Sequence, residues 1–147
     1  MVDRLRVLIA DDEPEVREAL AELLSRSPGL EVVGLAADAT EAIDLARQHR
    51  PDVALLDVRM PAGGGPRAAR EILRRLPTAR VVALSAYRDP GSVLGMLRAG
   101  AVGYLPKGSS ADELLALVRG GDGTDGPAEL EAWADRFRTE ERRAMED

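Results

Sequence analysis

Five short apolar runs recur along this chain at intervals wide enough to hold a helix. They are Arg6 to Ala10 (RVLIA), Leu30 to Ala36 (LEVVGLA), Val53 to Leu56 (VALL), Arg80 to Leu84 (RVVAL) and Val102 to Leu105 (VGYL). Apolar β-rich runs that alternate with helical patterns specify a parallel sheet covered by helices on both faces. The intervening helices have readable starts. Pro14 fits the first turn of the first helix, Asp38 with Glu41 three residues on makes a capping box for the second, and Pro66 can open the third. Asp89-Pro90 opens the fourth helix, and Ser110 with Glu113 caps the fifth, which carries Leu114, Leu115, Leu117 and Val118. Ser27-Pro28-Gly29, Arg50-Pro51-Asp52 and Leu76-Pro77-Thr78 punctuate the helix-to-strand joints, as turn chemistry requires.

A length of 147 residues with 45% hydrophobic and 31% charged residues suits one globular α/β domain with a full core. The chain has no cysteine, which excludes disulfides, thiolate metal sites and thiol nucleophiles. No apolar run reaches the length of a membrane span, and MVDRLRVLIADDE does not read as a secretory signal, so a cytoplasmic protein without a membrane association is expected. The net charge of −6 argues against direct nucleic-acid binding by this chain. Residues 121–147 hold nine acids against four arginines, so the remainder is nearly neutral.

In an open parallel sheet, ligands and chemistry gather at the carboxyl ends of the strands. There the chain places Asp11, Asp12 and Glu13 after the first run, Asp57 after the third, Ser85 and Ala86 after the fourth, and Lys107 two residues after the fifth. Clustered carboxylates repel one another unless a cation joins them. Hard oxygen donors without histidine or cysteine suit Mg²⁺. Asp57 is thereby expected to be partnered by Mg²⁺ and Lys107, and Gly63, Gly64 and Gly65 to let the following loop bend close to the site. Glu13 reads as a first-turn acid of the first helix, and His49, the single histidine, as a cation favouring the carboxyl end of the second.

The set VLIADDEPEVREAL, DVALLDVRMP, VVALSAY and AGAVGYLPKGSSADELL resembles the receiver domain of bacterial two-component response regulators. The resemblance covers roughly residues 4 to 120, and GYLPKG is closest to the subclass whose output is a helix-turn-helix domain. It implies a flavodoxin-like, doubly wound five-stranded sheet of order 2-1-3-4-5. It also implies that Asp57 accepts a phosphoryl group from a sensor histidine kinase, making the chain a switch rather than an enzyme. Asp12 would ligate Mg²⁺ directly, Asp11 through water, and Arg59 through its backbone carbonyl, beside Asp57 itself. Ser85 and Lys107 would contact the phosphoryl oxygens, and Tyr104 would change rotamer with the state of the site. The switched surface would act on an output domain, a partner protein or a second copy of the chain in a homodimer. Arg59 and Tyr87 match the positions flanking the path of a hydrolytic water, and both are large.

The sequence departs from the family pattern at the Gly63-Gly64-Gly65-Pro66 stretch and in having Pro106 before Lys107 and Gly108 after it. Past residue 120 the resemblance stops. Residues 121–126 read as a flexible linker, and residues 127–147 as a helical extension or the start of an output region. Leu130, Trp133 and Phe137 share one helical face, so Trp133 is expected to be buried. Two other readings stand beside the receiver. A dehalogenase-like hydrolase also uses a strand-end aspartate but wants a second acid two residues on, where Arg59 stands. A dimerisation-only receiver would be expected to lose part of the acid pair, Asp57 or Lys107.

Overall fold

The computed structural model describes residues 4–86 and 90–120. Tyr87, the expected linker and the segment carrying Trp133 lie outside the described residues. Five strands, β1 (Leu5–Ala10), β2 (Leu30–Ala36), β3 (Val53–Asp57), β4 (Arg80–Ser85) and β5 (Gly103–Pro106), form one parallel sheet of order β2-β1-β3-β4-β5. They alternate with α1 (Pro14–Arg26), α2 (Ala39–His49), α3 (Gly64–Arg75), α4 (Pro90–Arg98) and α5 (Ala111–Val118). The expected flavodoxin-like architecture is the observed one.

Each sheet face has its own apolar layer. On one, Leu8, Leu56, Val81 and Ala83 pack with α2, α3 and α4 residues such as Ile43, Ile72 and Met96. On the other, Ile9, Leu55, Val82 and Leu84 pack with Leu24 of α1 and Leu114, Leu117 and Val118 of α5. β3 and β4 are the strands buried most completely, as strands sandwiched between helix layers should be.

The caps explain the element boundaries. Asp38 accepts a hydrogen bond from the Glu41 backbone N–H at 2.8 Å, and Ser110 accepts from that of Glu113 at 3.1 Å. Arg6 and Arg80 satisfy the orphan carbonyls at two helix ends: Arg6 donates to the carbonyl of His49, and Arg80 to those of Leu117 and, at 2.8 Å, Val118. Arg119 adds a bond to the Pro28 carbonyl at 3.0 Å.

Several expectations change, and β1 starts one residue earlier than expected, at Leu5. α3 opens at Gly64 rather than Pro66, with Gly63 as its N-cap, so the glycines start a helix instead of forming a loop. Gly63 and Gly64 adopt φ of 100° and 73°, backbone that side chains disfavour, which is why the helix can begin so abruptly after β3. β3 and β4 each extend one residue further than expected and include Asp57 and Ser85. β5 is shifted one residue toward the C-terminus.

Candidate functional site

Strand register brings the polar residues together. Ala10 lies opposite Leu56 on the two adjoining central strands, so the next residues along, Asp11 and Asp57, stand side by side. Ser85 lies opposite Pro106 on β5, and the Lys107 backbone N–H donates to the Ser85 carbonyl at 2.7 Å. The lysine is thereby aimed across β4 at the two acids.

Asp11 is wholly buried and Asp57 only 4% exposed. The Lys107 ammonium lies 2.9 Å from Asp11 Oδ2, 3.2 Å from Asp57 Oδ2 and 3.2 Å from Glu13 Oε1. Asp11 Oδ1 accepts from the Glu13 backbone N–H at 2.9 Å, and the Asp11 carbonyl accepts from Arg17 at 2.7 Å, which pins the turn between β1 and α1. Asp11 Oδ2 faces the ammonium as its ion-pair partner. Asp57 Oδ1 is approached by the Arg59 backbone N–H at 3.4 Å. Behind the acids, Gly65 permits close packing: a Cβ there would lie 2.7 Å from the Asp57 carbonyl and 2.9 Å from Met96 Sδ.

The electrostatics follow from burial and charge count. Burial first, and the Asp11 charge second, push the Asp57 carboxyl up to about 7 against the opposing pull of Lys107. Burial alone would lower Lys107, but Asp11, Asp57 and Glu13 outweigh it and hold the ammonium above its ordinary value. One ammonium thus serves three close carboxylates. Carboxylate oxygens of Asp11, Asp12 and Asp57 lie within 4.8 Å of one another. An all-oxygen acidic donor set whose carboxylates outnumber the ammonium beside them fits a hard divalent cation, which would relieve the repulsion that Lys107 leaves uncompensated.

The structure therefore brings Asp11, Asp12, Asp57 and Lys107 together at one edge of the sheet. It places Ser85 at the end of the neighbouring strand, 7% exposed, and brings in the Arg59 peptide through its N–H. Tyr104, opposite Ala83 on β5, is 2% exposed and belongs to the layer beneath α3 and α4. Glu13 corrects the reading of a simple first-turn acid: it is the N-cap residue of α1, and its carboxylate reaches Lys107. Arg17 was also not anticipated. Nothing in PEVREAL distinguishes an arginine that braces the acidic turn from one on a solvated face.

The family described as response regulator receiver domain matches residues 7–119. A transcriptional regulatory protein of Bacillus subtilis, YxjL, is 40% identical over 117 residues, which are 80% of this chain and 54% of that protein. The DNA-binding transcriptional activator DevR/DosR of Mycobacterium tuberculosis is 39% identical over 115 residues, 78% of this chain and 53% of its own. The chain thus spans about half the length of the curated relatives it matches. Among solved structures, a two-component response regulator of the LuxR family from Aurantimonas superposes with a TM-score of 0.77 at 34% identity, covering 92% of this chain and 99% of that one.

Proposed function

The chain belongs to the response regulator receiver domain family, a family of signalling switches, and from that premise we propose that Asp57 is its phosphoacceptor. The observation that carries this reading is the meeting of Asp57 with Asp11 and the Lys107 ammonium at the carboxyl edge of the sheet. In the proposed reaction a carboxylate oxygen of Asp57 forms a P–O bond as the P–N bond to a phosphohistidine breaks, and the electron pair returns to the imidazole nitrogen. The donor would be a sensor histidine kinase, the kind of partner response regulators have.

Phosphoryl transfer asks mainly for positioning and charge neutralisation, so an ionised carboxylate needs no general base. Lys107, anchored through its backbone to Ser85, offers its ammonium to the phosphoryl oxygens, and the Ser85 hydroxyl offers a further hydrogen bond. Asp11, Asp12, Asp57 and the Arg59 carbonyl would hold Mg²⁺, which when bound supplies positive charge to the transferring group. The new acyl phosphate adds nearly two negative charges and three acceptor oxygens. Drawing Ser85 and Lys107 toward those oxygens alters the floor beneath Tyr104, and the α4-β5-α5 face carries the change outward.

No helix among the described residues is long and apolar enough to cross a membrane. We place the protein in the cytoplasm, acting as a switch on an output domain, a partner protein or a homodimer, without contacting nucleic acid or membrane itself. The test is mass spectrometry after incubation with acetyl phosphate and Mg²⁺. One added phosphoryl group on the parent and none on Asp57→Asn supports the reading; no added mass, or mass retained in Asp57→Asn, overturns it.

A further inference from the structure

Five strands about 4.8 Å apart make a sheet roughly 24 Å wide. Among the described residues, three helices cover one of its faces and α1 and α5 the other, and two helices at interaxial spacings near 10 Å cover about 20 Å. The shortfall shows as an apolar groove of about 450 Å³ between α1 and α5, next to the β5–α5 turn. Val16, Leu20 and Leu23 line one wall, Leu105, Ala111 and Leu114 the other. Leu24 is the one residue of α1 that is fully buried, so Leu20 and Leu23 stay half-exposed although their faces point at other apolar groups. Glu15 and Lys107 stand on the rim, and Ser109 and Ser110 continue it toward the start of α5.

We propose that this groove is the docking site of the chain's own C-terminal segment, residues 127–147, through Leu130, Trp133 and Phe137. Two features of the sequence fit this occupant. Those three residues fall on one face at helical spacing and amount to an apolar stripe matching the groove in character. The reach is sufficient. α5 is 8 residues, about 12 Å, long, and six extended residues from 121 to 126 span up to about 20 Å, enough to return to its amino end. Tethering makes the docking intramolecular, so modest contacts suffice.

The proposal does not depend on phosphorylation and is tested in the unphosphorylated full chain. Trp133 is the only tryptophan, so its emission reads the segment directly. The expected result is a blue-shifted emission that does not change with protein concentration. Ala19→Glu with Ala111→Glu, at two exposed groove-lining positions, should move it to that of indole in water and raise acrylamide quenching severalfold. Gln48→Glu, exposed on α2, should leave both unchanged. Solvent-like emission or full quenching in the parent overturns the proposal without recourse to any variant. A blue shift that appears only on raising concentration assigns the groove to a second copy, and one that survives both glutamates assigns Trp133 to another surface; either result overturns it as well.

Discussion

Replacing Asp57 by asparagine should stabilise the metal-free protein, and the gain should depend on pH. In the fold the Asp57 carboxyl is pushed from 3.8 to about 7, first by burial and then by Asp11. A group whose folded value is raised gives stability that is fully present below about 4 and is lost as pH rises through about 7. Roughly three pH units at about 1.4 kcal/mol each put the cost of ionising Asp57 in the fold near 4 kcal/mol at pH 8. At pH 5 the folded group is still protonated, and the same reckoning leaves under about 2 kcal/mol. Asparagine keeps the shape without the charge, so its advantage over the parent should grow by about 2 kcal/mol between pH 5 and pH 8. For a domain of this size that corresponds to roughly 4–8 °C in Tm. Thermal unfolding followed by circular dichroism in EDTA at the two pH values measures the difference directly. A variant no more stable than the parent at pH 8, or an advantage equal at both pH values, refutes the argument from burial and repulsion. Added Mg²⁺ should narrow the gap, because it stabilises the parent by binding the folded site and does so less for the variant.

Lys107→Met removes the ammonium that faces Asp11, Asp57 and Glu13. It should cost about 3 kcal/mol at pH 8 by urea unfolding, and phosphoryl uptake from acetyl phosphate should fall at least about tenfold. Gly65→Ala sets a methyl against the Asp57 carbonyl and Met96; a loss of about 2 kcal/mol in the same unfolding assay is expected, and a neutral result would mean that α3 can retreat freely. Arg59→Asn combined with Tyr87→Ala should release phosphate faster than the parent under the same Mg²⁺, each ~1.4 kcal/mol of lost shielding appearing as tenfold in rate. Equal rates of phosphate release would show that bulk at these positions does not screen the attacking water.

The fold was legible because its signals are local and redundant. Apolar runs, Pro14, the Asp38–Glu41 pair and the Ser110–Glu113 pair each mark an element, and the structure uses each of them. The site was legible because strand ends in a parallel sheet converge, so Asp11, Asp12, Asp57 and Lys107 could be gathered from three separate places in the chain. The start of α3 was not, because Pro66 marks a start two residues too late and the three glycines before it carry no helix signal; what they permit is positive φ and a near-contact with the Asp57 carbonyl, and both exist only once β3 is in place. Glu13 escaped for a similar reason. Its spacing from Pro14 identifies a helix terminus, whereas its carboxylate is aimed by a lysine 94 residues away.

The guanidinium of Arg80 on the last carbonyls of α5, with Arg119 tied to Pro28, makes the carboxyl end of that helix a pivot. A tilt of α5 by ten degrees about this pivot would move its amino end, about 12 Å away, by roughly 2 Å and its carboxyl end hardly at all. The point at which the chain leaves the sheet would then stay still while the surface around Ser110 and Ala111 shifts. News of a change at Asp57 would travel outward through whatever touches that moving surface, and the covalent thread leading onward from Gly120 would act as a tether, not as a lever arm.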